Sequence, residues 1–94
     1  MENVVIDDKA KDFILAKRVS AVTVKLEKFG GGWAGCTYMP TVYVGAPADN
    51  GEYENHRVDG IDVFISKFVD ISRGLKIVTS GFAMFKGFAV VPLR

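Results

Sequence analysis

Residues 54–65 read ENHRVDGIDVFI. Asp59-Gly60 is a preferred pair for the centre of a two-residue hairpin turn, because both central positions must take positive φ. After it, Ile61, Val63 and Ile65 alternate with Asp62 and Phe64, a period of two that marks a half-buried strand. The stretch predicts a β-hairpin across Tyr53–Ile65, and the neighbouring segments extend the same pattern.

Upstream, AVTVKLEKF (21–29) alternates in the same way, with Val22, Val24 and Leu26 on one face and Thr23, Lys25 and Glu27 on the other. TYMPTVYVG (37–45) reads as a second strand. Its Pro40 cannot donate to a ladder, which predicts an edge position, a bulge or a late start. APADNGE (46–52) is a turn or loop. Nearer the N-terminus, Asp7 and Asp8 are N-cap residues ahead of Ala10, Phe13 and Ile14 at helical spacing. They predict a helix from Asp8 to Arg18, with Lys17 and Arg18 complementing its C-terminal dipole. Val4–Ile6 is a short strand leading into it. Downstream, SKFVDISRG (66–74) predicts one or two helical turns, capped by Ser66 and stopped at Gly74. LKIVTS (75–80) and GFAVV (87–91) complete a set of about six strands, joined by a turn around Gly81 to Gly87. No rhythm of long helices is present, which argues against a doubly wound parallel sheet. The expected fold class is α+β, a single domain over residues 1–94. Mostly antiparallel or mixed sheets would pack as a sandwich or distorted barrel against an N-terminal helix.

The totals bound the function. Ninety-four residues suffice for one domain. Twelve basic and eleven acidic side chains give a net charge of +1, without the positive patch that nucleic-acid binding needs. MENVVIDDKAK (1–11) lacks a cationic stretch followed by an apolar run, and no apolar window approaches the ~20 residues of a membrane span. The expectation is a cytoplasmic protein. A single cysteine excludes an internal disulfide.

The chemistry-bearing candidates cluster in GGGWAGCTY (30–38), where Gly31, Gly32, Trp33, Gly35 and Tyr38 surround Cys36. A glycine-rich loop can aim N–H groups at an anion and so favour a thiolate. Free cysteines are nevertheless among the most buried residues, which favours a small core residue at Cys36. His56 is the one histidine; strand histidines usually face solvent, and a pairing with Cys36 depends on the fold. Asp59 is explained by its turn and Asp62 by an outward polar face. Phe82, Phe85 and Phe88 are expected mainly in the core, whereas Trp33 is the aromatic expected to be exposed. No His/Asp/Ser constellation or phosphate loop is present, so no enzyme is expected. One Cys and one His fall short of a zinc or iron–sulfur ligand set, although a two-fold dimer would bring two copies of Cys36 together.

The order of these elements resembles the HesB-like domain of the A-type iron–sulfur cluster assembly proteins. The matching features are a capped helix DDKAKDFILAKR, an alternating strand, GGWAGCTY, VDGIDVFI and SGFAMF, over about residues 3–91. The resemblance implies a HesB-like fold and protein partners of the iron–sulfur assembly pathway. Trp33 stands where that family has its first cluster-binding cysteine and Cys36 where it has an aromatic residue. The C-terminal Cys-Gly-Cys segment has no counterpart in FAVVPLR. The resemblance therefore implies a degenerate or accessory member without its own cluster. An iron–sulfur cluster would require Cys36 to be bridged across a dimer or with a partner, with His56 as the other candidate ligand. The chain is also similar to a small branch of that family with a Cys/selenocysteine pair in the glycine loop. PTVYVGAP (40–47) fits the P-x-V-x-x-G-x-P pattern of that branch. The alternatives are a redox or metal-binding module using Cys36 in a homodimer, or a non-catalytic interaction domain.

Overall fold

A computed structural model describes residues 3–49, 51–80 and 87–94. Asp59 and Gly60 take φ of 51° and 81°, and they join β4 (Tyr53–Val58) to β5 (Ile61–Ser66) in the expected hairpin. Its inward residues Ile61, Val63 and Ile65 are buried, so the alternation places the core on one face of the hairpin.

The remaining strands are β1 (Val4–Ile6), β2 (Ala21–Gly30), β3 (Cys36–Val44), β6 (Leu75–Ser80) and β7 (Gly87–Val91). They form two sheets, β1-β6-β7 and β3-β2-β5-β4. Both are mixed: β1 runs parallel to β6 and β2 parallel to β5, while the other pairings are antiparallel. Edge strand β3 approaches β7, and β1 approaches β4, so the sheets lean together at both sides around one core. That core joins Val4 and Ile6, Val22 and Val24, Ile61 to Ile65, Leu75 and Ile77.

Helix α1 (Asp8–Ala16) is capped by the Asp7 side chain, which accepts from the Lys9 N–H. Only Ala10 and Ile14 of α1 are buried, so the helix is held by a narrow apolar stripe. It ends two residues before Arg18, which adopts φ of 61° and donates its N–H to the Leu15 carbonyl. Lys17 instead lies over the Phe13 ring at 4.8 Å, and Phe13 meets Phe88 edge-on at 5.3 Å.

Three expectations change. Residues 66–74 form turns rather than a helix. Ser66 Oγ accepts from the Phe68 N–H, but Asp70 Oδ1 accepts from Ser72, and such local bonds compete with helical ones. Thr23, assigned to the polar face, is buried because the segment after β3 folds over it and the Gly45 carbonyl accepts its hydroxyl at 2.8 Å. His56 does not face solvent: it lies opposite Val63, on the core side of edge strand β4. The turn expected around Gly81 to Gly87, with Phe82 and Phe85, falls largely outside the described residues.

Pro40 sits on an edge strand, as its missing donor requires. Gly45 N–H donates to the Ala21 carbonyl, and stepping by two along the register turns the Pro40 nitrogen away from β2. The ladder loses nothing by it.

Two substitutions test this architecture. Ile14→Ala removes the anchor of α1 and is expected to cost about 2–5 kcal/mol by chemical denaturation. Gly74→Ala is expected to destabilise as well, because φ is +78° and a Cβ there would lie 2.8 Å from the Leu93 side chain. Wild-type midpoints for both variants would refute the packing described.

Candidate functional site

Strand β2 pairs with β5 only as far as Val24↔Ile65, whereas its pairing with β3 runs on to Gly30↔Cys36. Among the described residues, 25–30 and 36–41 therefore stand out as a two-stranded arm with no third strand in their ladder. Lys28, Phe29 and Gly30 are exposed, as is every β3 residue from Cys36 to Pro40. Directly opposed residues share a face. Cys36, Tyr38 and Pro40 thus continue the face that carries Val22 and Val24, and Phe29 and Met39 project from the other.

The glycines make the tip. Gly30, Gly31, Gly32 and Gly35 all have positive φ, and a single 3₁₀ turn over Gly32–Ala34 is closed by the Gly35 N–H donating to the Gly32 carbonyl. A Cβ on Gly30 would lie 2.9 Å from the Gly35 oxygen. The run therefore serves a reversal of the chain, and it sets Trp33 at the apex with 107 % of its reference surface exposed. Tyr38 is 58 % exposed and Met39 52 %.

Cys36 is the first residue of β3 and is exposed, contrary to the buried position expected of a free cysteine. The reason is that β3 outruns the core. His56 is three strands from β3 across the sheet, level with Val44, and Val44 is eight residues from Cys36 along it. At strand spacings of about 4.8 Å and a rise of about 3.4 Å per residue, that places His56 roughly 30 Å from Cys36. The two do not meet within one chain. The His56 Nε2 atom is buried without a hydrogen-bond partner among the described residues, 3.8 Å from Glu54 Oε1, in a pocket shared with Asn3 and with Val4 of the other sheet. Among the described residues, no three His, Cys, Asp or Glu side chains converge as a metal site. One exposed thiol does not fit an iron–sulfur cluster, and the described residues supply no second ligand beside it.

A polar network that the sequence gives little sign of holds the root of the arm. Asp49 accepts from Lys25 at 3.2 Å, from the Tyr53 hydroxyl at 2.8 Å and from the Gly51 N–H at 3.0 Å. Tyr43 donates to Glu27 at 3.0 Å, with Lys25 above its ring. The Gly51 N–H, the Tyr53 hydroxyl and the Lys25 ammonium hold the Asp49 carboxyl below the usual carboxylate range. Bonding to Asp49 raises Lys25 in turn. These contacts pair strands with a loop, and only the register brings them together.

Because Cys36 is exposed, Cys36→Ala is expected to change stability by less than about 0.5 kcal/mol. Alkylation should be as fast in the native state as in urea, and slow native labelling would contradict the exposed position. The Asp49 carboxyl titrates lower folded than unfolded, so its contribution is present above an unfolded value near 4 and is lost as pH falls. Wild type should therefore melt above Asp49→Asn at pH 7, with the gap closing toward pH 3. A gap that does not vary with pH would refute the assignment.

No curated protein matches this chain. A family model described as the CC/Se motif containing family matches residues 2–92. The sequence has one cysteine, and so no Cys-Cys pair. With that match over nearly its whole length, the chain belongs to the CC/Se motif containing family.

Proposed function

We propose that this protein is a non-catalytic interaction module that works in an accessory role in iron–sulfur cluster assembly, through protein contacts made by its arm. The observation that carries the reading is Trp33, wholly exposed at the tip of a two-stranded arm whose Phe29, Tyr38 and Met39 are also exposed. A large apolar surface presented on a projecting element is characteristic of a docking site. An indole offers a hydrophobic face and one N–H donor but no lone pair for a metal. The link to iron–sulfur assembly rests on the HesB-like order of elements, and a CC/Se family is in keeping with the branch that carries a Cys/selenocysteine pair.

A second reading, a metal or redox module using Cys36 in a dimer, is favoured by the exposed thiol on the same arm. Anaerobic reconstitution with iron and sulfide, followed by metal analysis and an absorption spectrum, separates the two. The interaction module is expected to stay colourless and iron-free, and immobilised wild type should retain sulfur-mobilising or scaffold proteins that Trp33→Ala does not. A visible charge-transfer band lost in Cys36→Ala would establish the second reading instead.

A further inference from the structure

A groove of about 260 Å³ lies at the base of the arm, between Pro40 of β3 and Val69, Leu75, Val91 and Pro92, with Asp70 at its edge. It sits at the Lys76↔Val91 end of the β6–β7 ladder. Its volume is below the roughly 300–1,000 Å³ of small-molecule sites, which suits one large side chain better than a metabolite. Trp33 is such a side chain, and it is wholly exposed among the described residues.

We propose that the arm docks on a second copy of this chain and inserts Trp33 into that copy's groove. This rests on the arm being the interaction element, and it identifies one of its partners. The groove adjoins the base of the same arm whose tip carries Trp33. Two arms laid antiparallel about a two-fold axis therefore place each tip on the other's base, and the contact closes as a dimer. Tyr38 and Cys36 face the same way as Pro40 and lie between tip and base, on the surface that meets the partner.

The chemistry is matched on both sides. Asp70 supplies a carboxylate acceptor for the indole N–H, and its charge complements Lys28, which opposes Tyr38 on the arm. A net charge of +1 sets little repulsion between copies. The exposed parts of Trp33 and Tyr38 amount to roughly 250–400 Å² at 150–250 Å² per side chain, about a third to a half of the ~800 Å² each partner buries in a standard interface. Pro40 interrupts the free donors along the outer edge of β3, so the contact is made by side chains and not by adding a strand.

Trp33 is the only tryptophan, so its fluorescence reads the contact directly. Emission should move from solvent-exposed to buried character as concentration rises, in step with a doubling of mass by sedimentation. Val91→Arg and Asp70→Lys, both at exposed positions, should each weaken dimerisation on the order of 30-fold or more and leave Trp33 exposed in character. Asp70→Lys keeps the test decisive if Val91→Arg folds poorly. A monomer with exposed-type emission at every concentration would overturn the proposal, as would a dimer that persists in Asp70→Lys with Trp33 unshifted. A monomer whose Trp33 emission shifts only with a sulfur-mobilising protein would overturn it too, while leaving the accessory role intact.

Discussion

The structure depends on a mismatch of length between neighbouring strands. Strand β2 has ten residues and its parallel neighbour β5 has six, of which four are in register with it. Where both neighbours are present, Val22 and Val24 are driven completely out of water. Beyond Val24 only β3 remains, and a two-stranded ribbon cannot cover its own side chains. The core and the arm are thus the two ends of one strand. The same alternation that buries valines at one end displays Tyr38 and Cys36 at the other.

That geometry explains why the described site is made of large apolar groups and one exposed thiol. An arm held by one ladder and a polar brace at its root can position a tip, but among the described residues no further strand or helix joins it to complete a ligand set. The glycines reinforce this, since they are spent on reversing the chain. The contact role proposed for the arm rests on the apolar groups displayed there.

Much of the fold was legible in the residues. Asp59-Gly60 dictated a turn because few residues accept positive φ twice in succession. Asp7 and Asp8 marked the start of α1, and an edge position was one of the three that Pro40 allowed for β3. Legibility ended where a residue's surroundings come from distant chain. Cys36 and His56 were both misjudged by residue-type habits, since exposure at these positions follows from which neighbours a strand has and where the sheets meet. Thr23 was assigned to the polar face by alternation, which knows nothing of the segment that folds over it. Residues 66–74 have helix-compatible spacing, yet Asp70 and Ser66 bond locally and Val69 is pulled into the core. The CC/Se family match spans residues 2–92, and this chain holds a single cysteine.

The pairing of β1 bears on the order in which the chain can fold. Val4 pairs with Leu75, so the first strand waits for a partner about 70 residues later, a closure that slows folding by its span. During synthesis the β4–β5 hairpin can form as soon as it emerges, whereas Val4 and Ile6 lack their strand partner until β6 follows. The β1–β6 ladder therefore closes late, and Val4 and Ile6 stay without it while the chain between them and β6 is made.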